Sequence, residues 1–535
     1  MRNTLRFLSI LIAGVAAAGA QSLVVVTPAS PDPAAKRAIE ELVTYAARMG
    51  NPAPRIVVEP ADGDIFLGVL PARLSATDRD ALTLPLQGKD SDSFRLLSIG
   101  KNLIVAGNSS RAVLFGVYEY LESHGVRWYF PGTDNEVVPQ TILRTAGYDA
   151  TRVPSFRKRG MVVFTHNVLW TISERNHQLT GFREFVAFAA RKKINTIAIH
   201  HEHSFEQAAA VIREHGLTAE HEIHYFGERF CPDDTRALTH ERERMDKYLA
   251  QASPGMKRFF LWPDDKNLPP CASEKYKDWR ISDLTMNFSN EMARQVRKTR
   301  PEGEFAFISY LRTWTPPVLA KPGPGVILEW APMNQSLAHS LDDPRSAVNR
   351  RLRGQFEAYL KLFRPQDTHV LGYWLDDTLF NRIGYGNVPY RPGALTSDLR
   401  FYHRAGVPDV TTFGLFAYWD TFFSKAPPAM FLYPQLLWNI DSDVARTMKE
   451  FASRYFGRPE VGAVFEALET LDGIVYIDDH KLVVSKERLP EFGSILRNST
   501  QTVQSLLARE DDPIRRSRLA KLSIEVASRA NYRQR

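Results

Sequence analysis

The pattern of apolar and polar positions changes along the chain, and its first segment, from residue 22 to about 149, consists of short units. Apolar runs of strand length alternate there with segments whose apolar residues fall on one helical face. The strand candidates are Leu23 to Val26, Ile65 to Val69, Phe94 to Ile99 and Leu103 to Ala106, and the helix candidates are Ala34 to Met49 and Arg111 to His124. Residues 21–150 are therefore predicted to form a small α/β domain with a mixed or antiparallel sheet.

Residues 151–440 have longer units, in which wholly apolar runs alternate with amphipathic segments of helix length. The eight strand candidates are Gly160 to Phe164, Thr196 to His200, Leu217 to Ile223, Arg258 to Trp262, Glu304 to Tyr310, Gly325 to Trp330, His369 to Trp374 and Thr412 to Tyr418. Eight strands at these intervals predict an α/β fold with a central (β/α)8 barrel. No glycine-rich phosphate loop follows any of them, which weakens a dinucleotide-binding alternative.

The last segment, residues 441–535, is polar and amphipathic, and we expect an accessory helical region there. The helix candidates are Val444 to Tyr455, Ser494 to Leu507 and Ile514 to Ala530.

The first twenty residues have the three-part layout of a secretory signal. Arg2 and Arg6 precede an apolar run from Phe7 to Ala18, and the small residues Ala18-Gly19-Ala20 stand just before Gln21. No later stretch approaches the roughly 20 apolar residues that a membrane helix needs. We therefore predict a signal peptide over residues 1–20 and a secreted or periplasmic protein without stable membrane insertion.

The charge distribution bears on possible binding partners, and the cysteine content bears on a possible disulfide. The formal net charge is +7 over 535 residues, but the basic residues are scattered and form no stripe, so nucleic acid is not expected as a partner. Cys231 and Cys271 are the only cysteines. An oxidising compartment would allow them to form a disulfide, and two unpaired thiols are the alternative. The oligomeric state stays open.

Two predicted barrel strands end in a tryptophan followed by two aspartates. The fourth leads into Trp262-Pro263-Asp264-Asp265 and the seventh into Trp374-Leu375-Asp376-Asp377. Cleavage of a glycosidic bond needs one carboxylic acid for the leaving oxygen and usually a second carboxylate opposite it. We expect Asp265 to be the acid with Asp264 supporting it, and Asp377, or else Asp376, to be the base or nucleophile. Helix capping and ion pairing are the ordinary alternatives for such aspartates.

Other strand-end residues suit a sugar subsite, because indole and phenol rings stack on sugar rings and imidazoles bind hydroxyls. The predicted substrate-binding residues are Arg159, His200, His224, Trp262, Tyr310, Trp330, Trp374 and Trp419. A core position is the alternative for each tryptophan. A uronic acid would require a cation, for which Arg159, Arg312 and Arg382 are candidates, although each could equally form a structural ion pair.

Histidines cluster after the second and third strands, and His200, Glu202 and His224 could suit a metal ion. However, no His-Glu-x-x-His helix occurs, and alternation along an extended segment sends these side chains to different faces. We therefore predict neither a metal nor a cofactor.

Several segments together resemble known glycosidases. Asn108 to Tyr118 and Arg127 to Gly132 resemble the end of the small domain that precedes the barrel in family 20 β-hexosaminidases and family 67 α-glucuronidases. Phe156 to Gly160 resembles their entry strand, in which the Arg before Gly contacts substrate, and Lys193 to His200 their second strand. The pattern is closest to exported bacterial proteins with the "domain of unknown function 4838". The elements shared with these are Leu261 to Asp265, Asn287 to Glu291 and Leu437-Trp438.

The resemblance implies a glycoside hydrolase-like protein, either α-glucuronidase-like or hexosaminidase-like. Family 20 enzymes end the fourth strand in Asp-Glu, whereas Asp264-Asp265 stands here, and Phe164-Thr165-His166 replaces their first-strand aspartate motif. Three hypotheses follow: an exported glycosidase acting on a polysaccharide or oligosaccharide, an inactive glycan-binding barrel, and a metal-dependent hydrolase.

Overall fold

The computed structural model describes residues 22–164, 175–200, 205–224, 231–252, 256–263, 271–376, 388–414, 428–479 and 481–533. The predicted signal peptide lies outside these ranges. The described chain divides into two compact units. One contains the residues up to Arg127 together with Val137–Arg152, and the other contains Trp128–Glu136 and the chain from Val153 onwards. The first boundary therefore falls close to residue 150, and the C-terminal region belongs to the same unit as the barrel.

The first unit is built on a six-stranded mixed sheet with strand order β2-β1-β3-β5-β4-β8. Its strands are β1 (Val24–Thr27), β2 (Arg55–Val58), β3 (Ile65–Leu67), β4 (Phe94–Ile99), β5 (Asn102–Gly107) and β8 (Asp149–Arg152). Strand β4 runs antiparallel to β5 and β8, and the other pairs are parallel. The predicted mixed sheet is confirmed. The sequence patterns missed the two edge strands because each buries little apolar surface.

The same unit contains the helices α1 (Pro33–Arg48), α2 (Ala76–Thr83) and α3 (Ser110–Ser123). Side-chain caps fix where α1 and α3 begin. Asp32 accepts a hydrogen bond from the Ala35 amide at 2.9 Å, and Ser109 accepts one from the Ala112 amide at 3.1 Å. These bonds satisfy amides that have no partner inside the helix.

The second unit contains a closed barrel of eight parallel strands, and this confirms the predicted fold class. The strands are β9 (Lys158–Phe164), β10 (Thr196–His200), β11 (Thr218–His224), β12 (Arg258–Trp262), β13 (Glu304–Ser309), β14 (Val326–Trp330), β15 (Thr368–Gly372) and β16 (Asp409–Gly414). Each corresponds to a strand predicted from the sequence, with ends that differ by a few residues. The two short strands β6 (Arg127–Trp128) and β7 (Glu136–Val137) pair with each other.

Helices follow the barrel strands and cover them. They are α4 (Arg175–Arg191), α5 (Phe205–Glu214), α6 (Thr235–Gln251), α7 (Ile281–Thr299), α8 (Ala347–Tyr359), α9 (Pro392–Arg404) and α10 (Ala429–Trp438). The C-terminal region is helical as predicted, with α11 (Val444–Tyr455), α12 (Val461–Ile474), α13 (Leu489–Ala508) and α14 (Pro513–Ser528). It also contains a hairpin of β17 (Val475–Asp478) and β18 (Lys481–Val484), which the sequence patterns missed.

Every second strand residue points into the barrel, and apolar side chains fill its upper part. The buried cluster there consists of Val162, Ala198, Trp262, Ile308, Ala331, Leu371, Tyr373 and Phe413. Lower down, the strands approach closely at Gly160. A Cβ atom on this residue would lie 2.7 Å from Thr411 Cγ2 and 3.1 Å from the Thr196 carbonyl oxygen. Strand β9 therefore needs a glycine between its two neighbours.

The amino-terminal end of the barrel is held by ion pairs around Asp409. This buried carboxylate accepts two hydrogen bonds from Arg157, at 2.9 and 2.5 Å, and also pairs with Arg258. Burial alone would raise the pKa of Asp409, but the Arg258 and Arg157 guanidiniums outweigh burial and lower it. The carboxylate therefore stays ionised and joins β16 to β12 and to the segment before β9.

The two cysteines form a disulfide, with their Cα atoms 5.0 Å apart. Cys231 follows strand β11 along the chain and Cys271 follows β12. The sequence left open whether these cysteines form a disulfide or two unpaired thiols, and the structure contains the disulfide.

None of the described helices combines the length and the apolar character needed to cross a membrane.

We expect Asp409→Ala to lower the free energy of unfolding by about 3 kcal/mol or more, because Arg258 would lose one partner inside the barrel. Urea unfolding would measure the change. The control is Glu357→Ala, which removes the surface pair with Arg353 and should cost less than about 1 kcal/mol. Equal losses in the two variants would contradict a supporting role for the Asp409 ion pairs.

Candidate active site at the carboxyl end of the barrel

Three predicted site residues come together where strands β10, β11 and β12 end. The ring centroids of His200 and Trp262 are 5.0 Å apart, those of His200 and His224 4.9 Å, and those of His224 and Trp262 5.8 Å. Catalytic and binding groups of such barrels sit at this end. The structure therefore places an aromatic and imidazole cluster at the position where substrates of this fold bind.

Backbone carbonyl groups orient both imidazoles. Nδ1 of His200 lies 3.0 Å from the Glu222 carbonyl oxygen, and Nδ1 of His224 lies 2.9 Å from the Pro263 carbonyl oxygen. A carbonyl oxygen only accepts, so Nδ1 carries the hydrogen in each ring. Nε2 is then the ring atom whose hydrogen-bonding role depends on protonation.

A pair of glutamates lies inside the barrel beneath this cluster. The indole nitrogen Nε1 of Trp262 donates to Oε2 of Glu329 at 2.6 Å, and both side chains are buried. The second carboxyl group, Glu222, is wholly buried on β11. Among the described residues, neither oxygen of Glu222 nor Oε1 of Glu329 has a hydrogen-bond partner.

The carboxyl pair is expected to hold protons at neutral pH. Burial raises the pKa of Glu329 to about 8, although the Trp262 hydrogen bond and the Lys158 charge oppose this shift. Burial and then the charge of Glu329 raise the pKa of Glu222 well above its usual value. Burial lowers the pKa of the neighbouring His369, so its imidazole is neutral.

Neither Glu329 nor Glu222 is among the site residues predicted from the sequence. A signal was present, because Glu220, Glu222 and His224 are spaced two residues apart in β11. In a strand, such spacing puts all three side chains on one face. In a closed barrel this face is the interior.

The end of strand β13 forms a strained turn beside the cluster. Leu311 has a φ of +48°, which is uncommon for a residue other than glycine. Thr313 holds the turn, since its Oγ1 accepts from the Tyr310 amide at 2.9 Å and donates to the Ile308 carbonyl at 2.7 Å. The Tyr310 hydroxyl lies 3.0 Å from Met333 Sδ. Tyr310 therefore lies at the predicted end of the barrel, next to strained backbone of the kind that collects at functional sites.

The predicted catalytic aspartates are only partly covered by the structure. Asp376 is buried, and its amide donates to the Tyr373 carbonyl at 3.2 Å in the turn after β15. Asp264, Asp265 and Asp377 lie outside the described residues, and so does Trp419. Strand β12 ends two residues before Asp264, and β15 ends four residues before Asp376. Both aspartate pairs therefore follow carboxyl ends of strands in the same barrel, and their catalytic roles stay predictions.

The structure corrects the prediction for Arg159. This residue is completely buried at the opposite, amino-terminal end of β9. Its guanidinium donates to the carbonyl groups of Lys193 at 2.9 Å and Phe156 at 2.8 Å, and lies 5.0 Å from the centroid of the Trp438 ring. Arg159 supports the base of the barrel, far along the strand from the end where substrate would bind.

Trp330 and Trp374 also need correction, because both point out of the barrel toward the surrounding helices. Nε1 of Trp330 donates to the Tyr402 hydroxyl at 3.2 Å, and Nε1 of Trp374 donates to Asp398 Oδ2 at 3.0 Å. Both partners belong to α9. The inward positions are the preceding residues in each case: Glu329 in the carboxyl pair, and Tyr373, which stacks on Phe413 at 5.8 Å.

Within the described part of the chain, no three His, Cys, Asp or Glu side chains gather as a metal ion would require. Glu202, the third member of the metal hypothesis, lies outside the described residues.

Several solved glycoside hydrolases have a fold similar to that of this chain. A family GH115 4-O-methyl-α-glucuronidase with specificity for decorated arabinogalactans aligns with a TM-score of 0.64 and 14% identity, over 96% of this chain and 72% of that chain. A GH138 enzyme targeting pectin rhamnogalacturonan II aligns with a TM-score of 0.62 and 9% identity, over 95% and 68%. A β-N-acetylhexosaminidase from Bacteroides fragilis aligns with a TM-score of 0.50 and 11% identity, over 82% and 92%.

The sequence comparison is more specific. Residues 264–465 match the family model "Domain of unknown function (DUF4838)", which confirms the resemblance to that family over this segment. The sequence matches no curated protein.

We expect the free energy of unfolding to fall as the pH rises from about 4.5 to about 8. In this interval folded Glu329 keeps a proton that the unfolded chain releases, because its folded pKa of about 8 exceeds the ordinary 4.5. The folded state then binds more protons, and stability decreases with pH. Urea unfolding at a series of pH values would measure the slope.

Glu329→Gln should flatten this slope, since an amide does not titrate. The exposed substitution Glu357→Gln should keep the wild-type slope. A Glu329→Gln curve parallel to the wild type would contradict the titration of Glu329.

Proposed function

We propose that this protein is an exported glycoside hydrolase that cleaves a polysaccharide or oligosaccharide by carboxylate acid/base catalysis. The observation that carries the proposal is the cluster of Trp262, His200 and His224 at the strand ends. Trp262 and Pro263 lead directly into Asp264-Asp265, and Asp376 lies in the turn after another strand of the same barrel. Aromatic rings, imidazoles and two separate carboxyl pairs are the groups that glycoside hydrolysis requires.

In this proposal Asp265 protonates the leaving oxygen and Asp264 supports it. Asp377 acts from the other side of the anomeric carbon as base or nucleophile, and Asp376 is the alternative for that role. If the two acting carboxyl groups lie about 5 Å apart, the reaction would retain configuration, whereas about 6.5–9.5 Å would leave room for a water and invert it.

In this proposal the sugar stacks on Trp262, of which only 4% is exposed among the described residues, and the imidazoles of His200 and His224 bind its hydroxyl groups beside Tyr310. The neighbouring structures include an α-glucuronidase, a pectin-directed enzyme and a β-N-acetylhexosaminidase, so uronides and N-acetylhexosaminides are the first substrates to test. For a uronate, Arg312 is the better candidate because it follows Tyr310 at the correct end of the barrel. Arg382 lies outside the described residues.

The decisive test is a screen of the purified protein against a broad glycan panel, measuring released reducing sugar. On an accepted substrate we expect Asp265→Asn to lower kcat by about 10²- to 10⁴-fold, because the general acid is lost. The control is Asp511→Asn, an exposed aspartate that is also one of two in a row and should keep wild-type kcat. Full activity of Asp265→Asn would contradict its assignment.

Two other outcomes would identify the alternatives. Glycan binding in a calorimeter without turnover over days would favour an inactive glycan-binding barrel. A stoichiometric zinc ion in the purified protein would favour a metal-dependent hydrolase and contradict the mechanism above.

Export makes a separate prediction. In a bacterial host that secretes the protein, we expect the mature chain to begin at Gln21, after removal of residues 1–20. N-terminal sequencing of the secreted or periplasmic fraction would check this. A mature protein that still carries Met1 would contradict the signal peptide.

A further inference from the structure

The buried chain of polar groups beneath Trp262 has no role in the mechanism proposed above. It runs from the Trp262 indole to Glu329, from Glu329 to His369 and from His369 to Thr411. Its three separations are 2.6 Å from Trp262 Nε1 to Glu329 Oε2, 3.5 Å from Glu329 Oε1 to His369 Nδ1, and 2.9 Å from His369 Nε2 to Thr411 Oγ1. These side chains come from four different strands, β12, β14, β15 and β16.

The indole end of this row of polar groups fixes one hydrogen position, and the tautomer of His369 sets the others. The indole N–H only donates, so Glu329 Oε2 must accept. His369 is neutral, and when its Nε2–H donates to Thr411 its Nδ1 can only accept. Within this row of polar groups, Oε1 of Glu329 and Nδ1 of His369 have no hydrogen-bond partner among the described residues, and they face each other at 3.5 Å. In this tautomer of His369, a proton on Oε1 would allow the two atoms to form a hydrogen bond after a small approach.

Loss of this proton would leave two acceptors facing each other. Glu329 Oε1 would then oppose the lone pair of His369 Nδ1 in the barrel interior, where an unpaired polar group is costly. Glu329 would have to move, or His369 would have to change its tautomer, with the Thr411 hydroxyl then donating to Nε2. In either case Glu329 carries a charge in the barrel interior, and a shift of its side chain to relieve this cost would disturb the acceptor that fixes the Trp262 indole.

We propose that Glu329 is a positioning residue of the sugar site, which in its protonated form holds the Trp262 indole against the substrate and thereby sets an alkaline limit on substrate binding. The inference rests on the proposed function, since it takes Trp262 as the surface on which the sugar stacks. Glu329 itself touches no substrate and acts through the indole.

Other charged groups face Glu329 and shape this behaviour. Lys158 on β9 and Arg258 on β12 favour the ionised form, while Glu220 and Glu222 on β11 disfavour it. Lys158 pairs with Glu220, and Arg258 with Asp409 and Glu304, so both cations are engaged lower in the barrel. Glu222, whose oxygens have no partner among the described residues, is affected in turn, because the charge of Glu329 raises the pKa of Glu222.

Glutamine is an informative replacement because it mimics the protonated acid. Its carbonyl oxygen can accept from Trp262 Nε1, and its amide can donate to His369 Nδ1, but it does not titrate. Leucine has a similar size and provides neither group. The pair of variants therefore separates the hydrogen bonds of Glu329 from the volume it fills.

The test measures KM and kcat from pH 5 to pH 9.5 on the best substrate of the glycan panel, or Kd by calorimetry if that glycan binds without turnover. In the wild type we expect KM to rise above about pH 8, where Glu329 loses its proton. Glu329→Gln should have a neutral-pH KM within about twofold of wild type and no alkaline rise. Glu329→Leu should have a KM raised about fivefold or more at every pH, as the loss of one hydrogen bond implies.

Trp330→Phe is the matched control, because it removes an indole hydrogen bond to Tyr402 on the outer face of the barrel and should leave KM and its pH profile unchanged. Trp262→Phe removes the bonded N–H together with part of the ring surface, and should raise KM and abolish the alkaline rise. If Glu329→Leu does not fold, Trp262→Phe and Glu329→Gln still decide the question.

The results separate the two proposals. A wild-type protein that neither binds nor cleaves any glycan overturns the proposed function. An active wild type whose alkaline rise persists in Glu329→Gln, or whose KM is unchanged in both Glu329→Leu and Trp262→Phe, overturns the positioning role alone.

Discussion

The closed barrel imposes the constraint on which the rest of this structure depends. Eight parallel strands share one interior, and every second residue of each strand must find a partner there. At the amino-terminal end the interior side chains form ion pairs, and Asp409 is bonded to Arg157 and Arg258. Toward the carboxyl end the interior contains aromatic rings, and Trp262, Tyr373 and Phe413 pack together. The candidate site lies where this packed interior meets the strand ends.

The buried polar groups of the barrel differ in whether they have ion-pair or hydrogen-bond partners. The charges at the base are paired, and the Cys231–Cys271 disulfide links the chain segments that follow β11 and β12. Just below the candidate site, by contrast, Glu222 and Glu329 are buried with oxygen atoms that have no partner among the described residues. A fold tolerates such groups where function requires them and compensates elsewhere. This contrast, together with the strained Leu311 turn, marks the carboxyl end of the barrel independently of any resemblance to known enzymes.

The sequence determined the architecture to a large extent. Eight apolar runs predicted eight strands, because strands buried on both faces carry few polar residues and the segments between them have helical periodicity. It also indicated His200, His224 and Trp262, which do meet at the strand ends. It failed at the edge strand Asp149–Arg152, which buries too little apolar surface to show a pattern, and it left the pairing of Cys231 and Cys271 open.

Only the tertiary structure decided which way each side chain points. Trp262, Trp330 and Trp374 look equivalent in the sequence, yet Trp262 faces the interior while Trp330 and Trp374 bond to helix α9 outside. The reason is that side chains alternate along a strand, so a shift of one residue in the strand's register exchanges the two faces. The same register placed Arg159 at the base and brought Glu329 beneath Trp262. The sequence by itself determined the barrel and the kinds of residue at its strand ends, whereas the closure and register of the sheet decided which of them meet.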